Sequence, residues 1–183
     1  MDRFWLLTWT TYGTWLPGDD RGSVTTIRDN SGPRHRHNTP GTAYDQSMPG
    51  LFKSDRAQMK GPPVYLNRSQ AEIVCCQIRQ TAKYREWKLL ALAIMKNHVH
   101  ALIGVTGDPE PWQILRDLKS YASRALNSKW TKPEGGTWWT ESGSRRKLPN
   151  EAAVRAAIRY IRNQKNSLLV WVEQESENMK KET

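Results

Sequence analysis

Runs of apolar and polar residues predict where the strands lie. Residues 4–12 are rich in aromatic and β-branched side chains, which is typical of a strand. Two apolar runs, residues 88–95 and 98–105, are separated only by Lys96-Asn97 and predict an antiparallel hairpin with a tight turn. Residues 138–148 are more polar and predict a last strand or a loop.

Apolar residues at helical spacing predict three helices. The first opens near Ser69, an N-cap that Glu72 follows at the spacing of a capping box. The second starts within residues 108–112, whose acidic residues and prolines are typical of a helix start. The third is capped by Asn150 and extends over residues 151–167. The apolar stripe of the second helix comprises Ile114, Leu115, Leu118, Tyr121, Ala122, Ala125 and Leu126.

Two segments lack such a pattern. Residues from about 16 to 63 are dense in Gly, Pro, Asp, Asn, Ser and basic side chains, so we expect a long irregular loop. Residues 174–183 form a polar tail that we expect to fray. The length of the remainder suits a single domain over residues 1–173.

The chain is strongly basic and rich in tryptophan. Its 183 residues include 28 Lys and Arg against 18 Asp and Glu, a formal net charge of +10 that favours a polyanionic partner. Nine Trp and six Tyr favour single-stranded nucleic acid in particular, because aromatic faces stack on unpaired bases. We expect Trp5, Trp87 and Trp171 to lie in the core instead, since each sits in an apolar pattern.

The cysteines and the hydropathy pattern indicate the compartment. Cys75 and Cys76 are adjacent, which suits neither a C-x-x-C metal pair nor a disulfide, so we expect reduced thiols. No run of 18 or more apolar residues occurs in the sequence. We therefore expect a cytoplasmic protein with no membrane partner.

The second strand of the predicted hairpin carries His98 and His100. Alternate side chains of a strand share a face, so the two imidazoles would project together while Val99 turns into the core. Neutral imidazole is a common ligand of divalent ions, which makes the pair a candidate metal site. The alternative is a pair of polar residues on a solvated strand face. A second pair, His35 and His37, lies in the irregular segment, and we interpret it as part of an exposed basic loop.

The third predicted helix carries Tyr160 and Gln164, which are four residues apart and so lie on one helical face. A tyrosine hydroxyl near a metal-polarised phosphate is a competent nucleophile, and a glutamine amide oxygen is a competent hard ligand. The alternative, which periodicity alone favours, is a tyrosine that packs on the sheet and a glutamine that faces water.

These motifs occur in the order found in a known family. Residues 96–100 (Lys-Asn-His-Val-His), 118–124, 139–145 and 160–164 (Tyr-Ile-Arg-Asn-Gln) together resemble the single-tyrosine HUH transposases of the IS200/IS605-like group, and REP-associated tyrosine transposases in particular. The resemblance implies an α+β fold of ferredoxin-like or RRM-like type, an antiparallel sheet with helices packed on one face. The predicted order of strands and helices agrees with such a fold.

The resemblance also implies a mechanism. His98, His100 and Gln164 would bind a divalent metal ion, Mg²⁺ or Mn²⁺. Tyr160 would attack the phosphorus of single-stranded or hairpin DNA, form a 5′-phosphotyrosine link and release a 3′-OH. Two alternatives stay open: a non-catalytic module that binds single-stranded or hairpin DNA, and a metal-dependent nuclease in which water attacks. The protein would act as a monomer or a homodimer.

Basic and aromatic residues near these motifs are predicted to contact the DNA. Three basic residues, Lys119, Arg124 and Lys129, lie off the apolar stripe of the second helix, although such residues most often form a solvated face. Two arginines follow Gly143-Ser144, and of the two adjacent tryptophans we expect one in the core. The predicted contacts are Lys119, Arg124, Arg145, Arg146, Trp138 and Trp139.

Overall fold

The structure is a computed structural model that describes residues 3–21, 26–27, 35–36, 48–107 and 109–173. The strands are β1 (Arg3–Thr10), β2 (Thr26–Ile27), β3 (His35–Arg36), β4 (Lys88–Ile94), β5 (His98–Val105), β6 (Ser144–Leu148) and β7 (Leu169–Val172). The helices are α1 (Pro49–Ala57), α2 (Arg68–Tyr84), α3 (Pro111–Asn127) and α4 (Glu151–Arg162).

Five strands form one antiparallel sheet in the order β6-β1-β5-β4-β7. Central strand β5 pairs with β1 along its whole length, from Val105 opposite Arg3 to His98 opposite Thr10. β4 and β5 form the predicted hairpin. The edge strand β7 is absent from the predicted order of elements, because the helix that precedes it ends earlier than its pattern indicates.

Helices α2 and α3 cover one face of the sheet. Val99, Ala101 and Ile103 of β5 point to this face and pack in one apolar cluster with buried residues of both helices. The prediction that Val99 turns into the core is therefore confirmed. Three half-buried tryptophans pack against the same cluster, in agreement with their apolar sequence context: Trp5, Trp87 and Trp171.

Helix α4 covers the opposite face. Its Ala157 and Ile161 pack with Leu102 of β5 and Leu148 of β6 in a second, smaller cluster. The predicted α+β class with an antiparallel sheet is confirmed, but the helices occupy both faces rather than one. Since side chains alternate along a strand, the side of β5 opposite Val99 faces α4.

The cap of α2 lies two residues earlier than predicted, at Asn67 rather than Ser69. Asn67 Oδ1 accepts a hydrogen bond from Gln70 N, and Gln70 Oε1 accepts one from Asn67 N, both at 2.9 Å. This reciprocal pair satisfies two backbone donors at once, which is the physical advantage of a capping box.

The starts of α3 and α4 agree more closely with the sequence. Asn150 Oδ1 accepts a hydrogen bond from Ala153 N at 2.9 Å, as the predicted cap should. α3 begins at Pro111, a residue type that favours the first helical turn, and Asp108 lies outside the described residues. No helix in the described part of the chain combines the length and the apolar character needed to cross a bilayer.

The segment predicted as irregular contains regular elements. Within residues 16–63, α1 forms with proline at its start, and β2 pairs with β3 in a small second sheet. The sequence of α1 shows no apolar periodicity because this helix buries none of its side chains. His37 and the polar tail over residues 174–183 lie outside the described residues, so their predictions stay predictions.

Candidate active site

His98 and His100 lie side by side on the face of β5 that α4 covers. Their ring centroids are 4.9 Å apart and the ring planes cross at 83°. His100 is buried and His98 is half-buried. The expected projection of both imidazoles from one strand face is therefore observed, and the face is not the solvated one of the alternative interpretation.

Each histidine is held through its Nδ1 atom. His98 Nδ1 lies 2.8 Å from Asn97 Oδ1, and His100 Nδ1 lies 2.7 Å from the Thr8 hydroxyl. Thr8 is the residue of β1 directly opposite His100, so strand register sets this contact. A proton on each Nδ1 places the lone pair on Nε2, and such contacts commonly fix a metal-binding histidine in that tautomer.

The hairpin turn is anchored by the chain that follows β1. The Asn97 carbonyl oxygen accepts hydrogen bonds from Thr11 N at 2.8 Å, Thr11 Oγ1 at 3.1 Å and Thr14 Oγ1 at 3.2 Å. Arg21 in turn donates to the Thr14 carbonyl oxygen at 2.8 Å and pairs with Asp19 at 2.6 Å. These contacts fix the position of Asn97, whose side-chain oxygen contacts His98 Nδ1.

Sequence reasoning missed this support. The threonines come from residues 8–14, which lie far from the histidines in the sequence and approach them only through the pairing of β1 with β5. The one signal available was the clustering of threonines at the end of the predicted first strand.

Burial favours the neutral form of both imidazoles. It lowers the pKa of His100 to about 4, and the neighbouring His98 adds to the effect. Burial also lowers the pKa of His98, with the Arg21 cation as the second cause. Neutral imidazole is the form that ligates metal, so two neighbouring neutral rings with their Nδ1 atoms held fit a borderline divalent ion.

Tyr160 reaches the histidine pair from α4. Its hydroxyl lies 3.2 Å from His100 Nε2, and the two ring centroids are 5.1 Å apart. The next residue, Ile161, is fully buried and anchors this turn of the helix against the sheet, while Tyr160 stays 50% exposed. The hydroxyl is thus held against a buried imidazole on a side chain that solvent and substrate can still reach.

Gln164 does not occupy the helical position that its spacing predicts. α4 ends at Arg162, and Gln164 Nε2 donates to the carbonyl oxygen of Tyr160 at 3.2 Å. Asn166, with φ of 59°, lies in the connection between the end of α4 and β7. Among the described residues, no group of three or more His, Cys, Asp and Glu could hold a metal ion.

Lys119 is buried, so it is not the exposed candidate phosphate contact that its position off the apolar stripe predicts. Its Nζ donates to three carbonyl oxygens, those of Thr140, of Glu141 at 2.8 Å and of Ser142 at 3.3 Å. Burial lowers the pKa of Lys119 to about 8. The ammonium is thereby committed to the segment that leads into β6.

Both Trp138 and Trp139 are buried, where the sequence predicted only one in the core. Trp138 Nε1 donates to Asn127 Oδ1 at 2.7 Å, and Trp139 Nε1 donates to the Lys119 carbonyl oxygen at 3.1 Å. Trp139 also packs edge-to-face on Trp9, with ring centroids 6.2 Å apart. Neither indole is placed to stack on a base in this conformation.

The three predicted arginine contacts are exposed. Arg124 lies over the Tyr121 ring, with 5.1 Å between its guanidinium carbon and the ring centroid. Arg145 and Arg146 are neighbours on the edge strand β6 and therefore point to opposite faces of the sheet. Register places Arg146 on the face of the histidines and Arg145 on that of α2 and α3.

The comparisons with known proteins identify the family. Residues 64–164 match the model of a family described as "Transposase IS200 like". The chain belongs to this family of IS200-like transposases. Membership supports a DNA-processing role of the transposase type, and the family is generally metal-dependent. No curated protein sequence matches the chain.

Two solved structures are similar to this chain. A REP-associated tyrosine transposase bound to a REP hairpin is 13% identical, with 87% of this chain and 64% of that chain covered and a TM-score of 0.48. A protein of Deinococcus radiodurans R1, provisionally described as a transposase, is 17% identical, with 90% and 92% covered and a TM-score of 0.45. The chain thus spans less than two thirds of the first of these relatives.

Proposed function

We propose that the protein cleaves and rejoins single-stranded or hairpin DNA through a covalent link to Tyr160. The observation that carries this proposal is the 3.2 Å contact between the Tyr160 hydroxyl and His100 Nε2. It places a reachable nucleophile next to a pair of imidazoles that could hold a metal ion, and metal coordination is one way in which such a nucleophile is activated.

The reaction proposed is an exchange of one phosphodiester for another. The Tyr160 oxygen forms a bond to phosphorus as the bond to the 3′ oxygen breaks, so the strand ends as a 5′-phosphotyrosine and a free 3′-OH. The phenolic proton is lost and the departing oxygen gains one. Attack by a 3′-OH on the same linkage reverses the exchange and rejoins a strand, with no water and no nucleotide cofactor consumed.

His98 and His100 are the residues proposed to hold a divalent ion, and at His100 the ion would take the place of the Tyr160 hydroxyl at Nε2. A bound Mg²⁺ or Mn²⁺ would supply Lewis-acid polarisation of the scissile phosphate. Gln164 is proposed as a further ligand through its Oε1 atom, since the hydrogen bond to the Tyr160 carbonyl oxygen uses only Nε2. Thr8 and Asn97 would orient the two imidazoles through their Nδ1 atoms.

The experiment that tests this function is the detection of a covalent adduct. A single-stranded hairpin from the DNA that flanks the gene, labelled at the 3′ end, is incubated with the protein and Mn²⁺. We expect label to migrate with the protein on a denaturing gel. Cleaved product without adduct would favour attack by water. The absence of both adduct and product would favour a non-catalytic binding module. Either result contradicts the proposal.

Binding should also depend steeply on salt. Each phosphate neutralised on a single strand contributes roughly −0.7 to the slope of log K against log salt, so about four to six contacts give roughly −3 to −4. Fluorescence anisotropy over a salt series measures this slope for hairpin and for plain duplex. We expect the hairpin to bind more tightly, whereas equal affinities or a slope near zero would contradict a single-stranded polyanion as partner.

A further inference from the structure

A pocket of about 430 Å³ lies between α3 and residues 137–145. This volume falls within the range of about 300–1,000 Å³ that is typical of ligand sites. Trp112, Arg116 and Ser123 line it from α3, and Thr140 and Arg145 line it from the segment that leads into and begins β6. The pocket therefore combines an aromatic ring, hydroxyls and guanidinium groups.

Trp112 is the aromatic surface of this pocket. It is 44% exposed, in contrast to the buried Trp138 and Trp139. The guanidinium carbon of Arg116 lies 5.0 Å from its ring centroid, one helical turn away. An exposed indole next to an arginine offers both stacking and charge, the two features with which proteins hold unpaired nucleotides.

Charge around the pocket favours an anion. Arg116 and Arg145 are exposed. Among the described residues that line the pocket, Glu141 is the only acidic one. Asp117 lies 3.4 Å from Arg116 but 2.7 Å from Arg85, so it is shared between two guanidinium groups. The contacts from Arg116 Nε and Nη2 to Asp117 are long, both at 3.4 Å, so a phosphate could compete for Arg116 as well as pair with Arg145.

The wall of the pocket is rigidly built. Lys119 donates to the carbonyl oxygens of residues 140–142 and fixes this stretch against α3. Gly143 allows the close approach, because a Cβ there would lie 2.7 Å from the Thr8 carbonyl oxygen and 2.9 Å from Leu115 Cδ2. Lys119 therefore has a structural role that its position in the sequence did not indicate.

The pocket adjoins the candidate active site around the edge of the sheet. Thr140 Oγ1 lies 3.0 Å from Thr10 Oγ1, and Thr10 is the residue of β1 opposite His98. Two strand spacings, roughly 10 Å, therefore separate this wall of the pocket from the histidines. The histidines and the α3 pocket lie on opposite faces of the sheet, so a single strand that leaves the histidines would cross β1 and turn around the sheet edge near residues 140–143 to enter the pocket.

We propose that the pocket holds a nucleotide of the single-stranded DNA next to the cleavage point, with its base stacked on Trp112 and its phosphates paired with Arg116 and Arg145. This inference rests on the proposed function, since it extends the same DNA path. It gives the protein an aromatic contact for an unpaired base in place of the buried Trp138 and Trp139.

The test compares Trp112→Ala, Trp112→Phe and Tyr84→Ala in the full chain. Tyr84 is a matched control, because it is 78% exposed, neighbours an arginine and does not line the pocket. The probe is a short fluorescent oligodeoxythymidine, and anisotropy measures its affinity. We expect Trp112→Ala to weaken binding about 10-fold or more, as loss of one stacked base should, while the other two variants stay near the wild type.

Salt dependence gives a second readout that a merely structural effect would not move. Arg116→Gln and Arg145→Gln should each reduce the steepness of the slope of log K against log salt by about 0.7. Wild-type affinity in Trp112→Ala, or an equal loss in Tyr84→Ala, would overturn the inference. Its failure is distinguishable from failure of the proposed function, because oligonucleotide binding is measured without cleavage and the covalent adduct is measured on the wild type.

Discussion

Replacement of Tyr160 by Phe should abolish the covalent adduct and lower strand cleavage at least ~10³-fold, because the variant lacks the attacking oxygen. Hairpin affinity should stay close to that of the wild type, since the ring and its edge contact with His100 are retained. The loss should not reflect unfolding, because the side chain is half exposed and the buried Ile161 still anchors the helix. Denaturing gels and anisotropy on the same preparation measure both quantities.

Tyr121→Phe is the control for this prediction. Tyr121 also lies on a helix among basic residues, but it is half-buried in the stripe of α3 with Arg124 over its ring. It should form adduct as the wild type does. An adduct that persists in the position 160 variant and disappears in the position 121 variant would transfer the role of nucleophile to Tyr121.

The central hairpin and the histidine pair could be predicted because their signals are local. Side chains alternate between the two faces of a strand, so the sequence shows which residues of β5 share a face. The apolar residues on either side of the histidines indicate that the strand is buried. The position of Tyr160 over His100 could not be derived in the same way. It depends on α4 packing on the face opposite α2 and α3, which is a property of the whole sheet.

The end of α4 shows why boundaries escape sequence patterns. The residues that follow Arg162 are polar, so the sequence pattern is also compatible with a longer helix. The four residues of β7 are too few to give a recognisable strand pattern. Residues 169–172 form a strand because they pair with β4, and β7 thereby becomes an edge strand of the sheet. Gln164 consequently lies in the connection between α4 and β7 and not on the helix.

Lys119 illustrates a second limit. On a helical wheel a lysine beside an apolar stripe is expected in solvent, because burial of a lone ammonium is costly. The cost is offset here by three carbonyl oxygens from residues 140–142, a segment about 20 residues further along the chain. No local pattern reports such distant acceptors, and the same holds for the partners of Trp138 and Trp139.

The second large effect is expected at the proposed metal site. His98→Ala or His100→Ala should remove most Mn²⁺ binding and divalent-ion-dependent cleavage, at least about 100-fold, because each removes a neutral imidazole from a pair that has no third His, Cys, Asp or Glu beside it in the described residues. A double change of His35 and His37 to Ala should leave both properties near the wild type. Calorimetric titration with Mn²⁺ measures the first property, and the adduct assay measures the second.

Thr8→Val refines this prediction, because it keeps the volume of the side chain and removes only the hydroxyl 2.7 Å from His100 Nδ1. Loss of such a supporting contact typically weakens metal affinity about 10–100-fold, so the variant should fall between the wild type and His100→Ala. Thr10→Val is the matched control: it is two residues along the same strand face, and its hydroxyl contacts Thr140 rather than a histidine. Unchanged Mn²⁺ affinity in the His98 and His100 variants would refute the site, and equal losses in Thr8→Val and Thr10→Val would show that the effect comes from the strand rather than from the orientation of His100.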